Sequence, residues 1–186
     1  MKTLERGFKT WAERTALAFR RELGLTVNDP LPPERFATYL GIQLWTPRNI
    51  PDLPPEVTEQ LLEKDPWGWS AISLNGIIIY NPRKSKGRRA SDIMHELAHI
   101  LLDHRPAIIL LSPDLPIGMR SFDAKQEDEA NWLAGCLLLP REGLLNAKRR
   151  KLLVEQIAEH YGVTGALVNF RVNLTGIQSQ VRARKQ

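Results

Sequence analysis

Five consecutive residues, His95-Glu96-Leu97-Ala98-His99, place two imidazoles four positions apart with a carboxylate directly after the first. On a helix, residues four apart share a face, so both rings reach one ion while Glu96 points beside it. The pattern suits metal-assisted hydrolysis: two neutral nitrogens bind a divalent cation such as zinc, and the adjacent carboxylate serves as general base. Burying two uncharged imidazoles and a carboxylate among Ile93, Leu97, Ile100 and Leu101 is costly unless their polar atoms find partners. A zinc ion is such a partner.

Catalytic zinc takes three protein ligands and keeps a fourth position open, so a third ligand is expected downstream. One known arrangement places Gly three and His six residues after the second histidine, but Leu102 and Arg105 stand there. The next source is the acidic run Glu127-Asp128-Glu129. Glu127 precedes Asn131 by one helical repeat; Glu127 is the expected third ligand, and Asn131 is expected to orient a ligand histidine. Glu129 is the second candidate. At 100° per residue it lies roughly 160° from the face of Asn131, which predicts a solvent position. Without the upstream histidines, the acidic run would read as a first helical turn complementing the helix dipole. Structural zinc sites commonly fill with cysteine, and the chain has 1 cysteine, Cys136, on an apolar stretch that reads as core. Tyr80, His104 and His160 are the candidate oxyanion donors.

The elements that must carry these residues follow from apolar spacing and punctuation. Trp11, Ala12, Ala16, Phe19 and Leu23 recur at helical spacing over 10–23, and Pro32-Pro33 opens a short helix through Leu40. Ile42–Trp45 reads as a strand, 47–55 as a loop and Glu56–Glu63 as a helix. Strands over 69–74 and 77–80 flank Asn75-Gly76, a pair that supplies the positive φ values of a two-residue hairpin turn. The continuous apolar run of the second strand makes it the candidate edge for an extended peptide. The basic stretch 83–89 reads as a loop before the helix 91–103, and 105–121 as a long connection. A second long helix covers 123–139 and stops at Pro140. Helices over 151–161 and 165–174, joined at Gly162-Val163-Thr164, have helix-turn-helix spacing with Asn169, Arg171 and Asn173 as candidate DNA-facing residues.

At 186 residues, with 42% hydrophobic and 25% charged side chains, the chain has the composition of a globular domain rather than a disordered or fibrous one. No apolar stretch approaches the roughly 20 residues of a membrane span, and Met1–Trp11 lacks the apolar segment of a secretory signal; the chain reads as cytoplasmic. The net charge of +5 is uneven: residues 1–140 hold 17 Lys and Arg against 18 Asp and Glu, and 141–186 hold 9 against 3. That division predicts a catalytic unit over 1–140 and a basic helical appendage over 141–186, whose phosphate contacts would give DNA binding without base readout.

The chain resembles the metallopeptidases of the ImmA/IrrE type over roughly residues 10–175. The resemblance lies in Arg21-Glu22-Leu23-Gly24-Leu25, Ala37–Ile42, Ile78-Ile79-Tyr80-Asn81, the His95–His99 motif and Glu127–Pro140, which matches a Glu-x-x-Ala-Asn helix ending in Leu-Leu-x-Pro. It implies an α+β, zincin-like fold: a small, mainly antiparallel sheet of about three strands beside a helical body with the motif helix at its centre, and C-terminal helix-turn-helix-like helices. It further implies one Zn2+ per chain and site-specific cleavage of a helix-turn-helix transcriptional repressor, inducing stress or mobile-element genes. The competing expectation is a regulator, or a toxin–antitoxin-type partner, that binds a repressor or DNA without cleaving.

Overall fold

The helix that carries the histidines owes its position to a face of small and branched apolar residues. In the computed structural model, which describes residues 4–64, 69–104, 123–177 and 180, α4 (Lys86–Leu101) buries Ala90, Ile93, Met94, Leu97 and Ala98. Full burial of one such leucine contributes about 2 kcal/mol by area removed from water. The helix begins well before Ser91 because Ser85 caps it, its Oγ accepting the N–H of Arg88 at 3.4 Å. The glycine in that basic stretch is a packing requirement rather than a loop signal. A Cβ on Gly87 would lie 2.7 Å from the carbonyl carbon of Val163.

On one side α4 meets a three-stranded sheet in the order β1-β3-β2, from β1 (Gln43–Trp45), β2 (Ala71–Leu74) and β3 (Ile77–Tyr80). Asn75 and Gly76 have φ of 47° and 80°, so the hairpin turn between β2 and β3 is of the expected kind. The sheet is mixed: β2 pairs antiparallel with β3, while β1 runs parallel to it, Leu44 opposite Ile78. The chain between β1 and β3 is long enough to return on the same side, passing through α3 (Pro55–Glu59) and β2. Ile77–Tyr80 is therefore the central strand, and the edge expected there belongs to β2 instead. Helices α1 (Phe8–Glu22) and α2 (Pro33–Tyr39) complete the N-terminal part.

On its other side α4 packs along α5 (Ala124–Leu138), which also contacts α1. Asp123 caps α5 by accepting from the N–H groups of Lys125 and Gln126 at 2.9 and 3.3 Å. Beyond Pro140 follow α6 (Arg141–Arg149), absent from the sequence expectation, then α7 (Val154–Tyr161) and α8 (Gly165–Leu174). Leu144, Ile157, Val168 and Ile177 from this region join the same buried cluster as Ile78, Leu97 and Leu133. The connection expected over 105–121 lies outside the described residues. No described helix is long and apolar enough to cross a membrane.

Two buried arginines finish the C-terminal end of α5, where backbone carbonyls have no partner within the helix. Arg20 of α1 donates through Nη2 to the Leu137 carbonyl at 2.8 Å and through Nη1 to the carbonyls of Thr26 and Asp29 at 3.1 and 2.6 Å. Arg171 of α8 donates through Nε to the Leu139 carbonyl at 3.2 Å and pairs through Nη2 with Glu13 at 2.5 Å. Arg171 is fully buried, which corrects its expected DNA-facing position; Asn169 and Asn173 are exposed. Burial also pushes the Cys136 thiol well above the usual thiol range, consistent with a core residue. Removing one partner of a buried, hydrogen-bonded pair strands the other charge and a carbonyl. Arg171→Ala is accordingly expected to lower the unfolding free energy by about 3 kcal/mol, read as a shift in the urea midpoint at unchanged slope.

Candidate metal centre

α4 and α5 run alongside each other so that the motif histidines face the first turn of α5. His95 Nε2 lies 3.1 Å from Glu127 Oε2, His99 Nε2 lies 3.5 Å from Glu127 Oε1, and the two Nε2 atoms are 3.0 Å apart. The rings meet edge to face, with centroids 4.6 Å apart. Two neutral imidazole nitrogens presenting lone pairs to each other and to a carboxylate repel unless a proton or a cation stands among them. A tetrahedral zinc shell with bonds near 2.1 Å puts ligand atoms about 3.4 Å apart, close to all three separations. The three donors thus form a group suited to one divalent ion, with one ligand atom from each residue lying within 4.8 Å of the others.

Glu96 points beside this group, as the one-residue offset requires. Its side chain is buried, and Oε2 accepts the backbone N–H of Ser73 in β2 at 3.1 Å. A buried carboxylate needs such donors, and this one ties its position to the sheet. His95, Glu96 and Glu127 border a cleft of about 310 Å³ whose other lining residues are Ser70, Ala71, Arg88, Ser91, Asp92 and Asn131. Arg88 is held at the rim by Asp92, its Nε 2.9 Å from Oδ1. The cleft therefore has polar walls on the α4 and α5 sides and the outer strand β2 on the third.

Asn131 lines the cleft one helical repeat beyond Glu127, exposed as its position on α5 dictates. The outward nitrogen of His99, however, meets a different residue. His104 Nδ1 lies 2.9 Å from His99 Nδ1, and His104 Nε2 lies 3.2 Å from Glu129 Oε2. Glu129 is largely buried, not solvent-facing as expected from its angle to Asn131. α5 has more than one buried face, because it packs on α1 and α4 at once. The signal for this was present in the sequence: Ala130, Trp132, Leu133, Ala134, Cys136 and Leu137 are apolar all round the helix, which marks a helix covered on more than one side.

None of the three candidate oxyanion donors lines the cleft. His104 lies behind His99, Tyr80 sits on the central strand, and His160 Nε2 bonds to the Asn28 carbonyl at 2.6 Å beside another cavity. Nor is the turn joining α7 and α8 open along its length, since Val163 and Thr164 pack over Gly87 at the start of α4.

The family model for the IrrE N-terminal-like domain of peptidases matches residues 52–173, a range that contains the whole cleft. No curated protein matches the sequence at a significant level. Among solved structures, a Mycobacterium tuberculosis transcriptional regulator superposes with a TM-score of 0.57 at 17% identity, over 90% of this chain and 47% of that one. The chain spans about half the length of that protein, and the likeness is one of fold.

His95→Ala, His99→Ala and Glu127→Ala are each expected to weaken zinc binding at least about a hundredfold, or roughly 2.7 kcal/mol. Competition against a chromogenic chelator measures this. Wild-type affinity in Glu127→Ala would remove that residue from the ligand set.

Proposed function

The chain belongs to the family of the IrrE N-terminal-like domain, and from that premise we propose that it is a zinc-dependent metallo-endopeptidase that cleaves a helix-turn-helix transcriptional repressor. The observation that carries the reading is the convergence of His95, His99 and Glu127 on one point, with the Glu96 carboxylate beside it and an outer strand bordering the same cleft. Family membership supports the peptidase chemistry and the repressor as substrate class.

In this reading His95 and His99 offer Nε2, and Glu127 a carboxylate oxygen, to one zinc ion per chain. An ion held there would supply Lewis acidity toward a carbonyl oxygen and would make the attacking water more acidic. Glu96 is the general base. Its carboxylate, steadied by the Ser73 N–H, takes a proton from the attacking water and delivers it to the leaving amine, so the peptide bond is replaced by a carboxylate and an amine. The substrate lies extended along β2, whose neighbour on the other side is β3, and main-chain hydrogen bonds to that outer strand hold it in register. Asn131 and Arg88 line the same cleft and offer polar groups to such a segment. The C-terminal helices serve to dock the repressor or its DNA, through exposed groups such as Asn169 and Asn173 rather than through Arg171.

Glu96→Gln separates binding from chemistry. It is expected to keep zinc affinity while losing about 10²–10⁴-fold in cleavage rate. The assay incubates wild type and variant with purified helix-turn-helix repressors, including any encoded beside this gene, and follows product by mass spectrometry. Cleavage at the wild-type rate by Glu96→Gln would remove the assigned mechanism. A stable repressor complex with no product from the zinc-loaded wild type would favour a binding regulator instead.

A further inference from the structure

The end of α4 is built so that a third histidine folds back onto the second ligand. Asp103 adopts the left-handed conformation at φ 51°, the Asp103 N–H donates to the Ile100 carbonyl at 3.1 Å, and the His104 N–H donates to the His99 carbonyl at 3.1 Å. These are the paired bonds of a helix-terminating Schellman turn, completed by an aspartate, one of the few residues besides glycine that tolerates that conformation. The turn sets the His104 ring edge to face with His99, centroids 5.0 Å apart, and brings the two Nδ1 atoms to 2.9 Å. From the neighbouring helix, Glu129 meets the far nitrogen of His104 at 3.2 Å, and the exposures of the two side chains are 7% and 13%. Lys125 stands one turn before Glu129, its Nζ 4.0 Å from Oε1.

Proton placement along this chain has one solution when the rings are neutral. If His99 presents the Nε2 lone pair to an ion, its proton is on Nδ1, and it donates to His104 Nδ1. The proton of His104 is then on Nε2 and is donated to the Glu129 carboxylate. The opposite direction would put the proton of His99 on Nε2 and remove it as a ligand. We propose that His104 and Glu129 are positioning residues that fix the tautomer and ring orientation of His99, so that this chain holds its metal through a ligand–histidine–carboxylate relay. The proposal rests on the metal reading above and extends it to residues outside the cleft, neither of which reaches a substrate there.

Outer partners of a ligand histidine are worth about 10–100-fold in metal affinity. The test measures zinc affinity of the apo protein by chelator competition. His104→Leu, similar in bulk but unable to accept a proton, is expected to bind zinc about 10–100-fold more weakly. His104→Gln offers an amide oxygen to the same Nδ1–H and is expected to recover most of that loss. Glu129→Gln is expected to lose about tenfold, and the double variant His104→Leu/Glu129→Gln to be no weaker than His104→Leu alone, because Glu129 acts through His104. Wild-type affinity in His104→Leu, or full additivity in the double variant, overturns the relay. If His104→Leu does not fold, Glu129→Gln decides: a tenfold loss supports the relay and none overturns it. A wild-type protein that binds no zinc overturns the metal reading together with the relay, whereas zinc binding with an unaffected His104→Leu overturns the relay alone.

Discussion

His95 and His99 on one helix and Glu127 on another bring their side-chain donors to one point, and so the register of α5 against α4 is the constraint on which the candidate site depends. Apolar packing of α4 on α5 is one part of it. Polar end-caps are the other, because they place both ends of α5. Asp123 fixes the first turn of α5, directly before Glu127, and Arg20 and Arg171 hold the carbonyls at the other end. Hydrogen bonds from a charged donor contribute about 1.5–3 kcal/mol each, and a misplaced helix would leave a buried guanidinium without acceptors. Glu13 adds the countercharge for Arg171, so α1, α5 and α8 meet at one polar knot within the core.

That knot also explains why the helices after Pro140 belong to the architecture of the site, although no residue of theirs lines the cleft. α8 supplies a cap to the helix that carries Glu127, and the turn before α8 presses on the first turn of the helix that carries the histidines. The helices that carry the histidines and Glu127 are thus both in contact with the same C-terminal pair. The close approaches demand small residues: a Cβ on Gly135 would lie 3.0 Å from Arg171 Cδ, and one on Gly87 would meet backbone.

What the sequence made legible were features written in local spacing. The motif helix, the Asn-Gly hairpin, the stop at Pro140 and the convergence of Glu127 with the histidines all follow from periods of 3.6 or 2 and from turn chemistry. The start of α4 was obscured because five basic residues between 83 and 89 resemble a solvated loop, while the cap that starts the helix is a single serine. The parallel pairing of β1 depends on a connection in which no local pattern specifies direction. The burial of Glu129 and the partnership of His104 with His99 depend on how many neighbours α5 has, a property of packing that one helical wheel does not contain. α6 was missed because Arg141–Arg149 is short and charged at both ends, with only four buried positions, Gly143, Leu144, Leu145 and Ala147, one of them glycine.

Sequence charge illustrates the same limit from the opposite direction. The basic excess falls after residue 140, and a count of cations there suggests a phosphate-binding surface. The structure removes Arg171 from that surface and gives it to Glu13, Leu139 and the face of Trp132, 5.7 Å from the ring centroid. Arg20 in the first helix has a similar fate, its charge surrounded by backbone carbonyls and its pKa pushed down by burial. A guanidinium can be placed this way because its planar array of donors satisfies several carbonyls at once, which an ammonium does less well. Net charge therefore reports two separate things in this protein: solvated cations that set its long-range field, and buried cations that act as helix caps. The second kind holds the C-terminal end of α5, the helix that carries Glu127, so part of the basicity belongs to the packing that supports the candidate site.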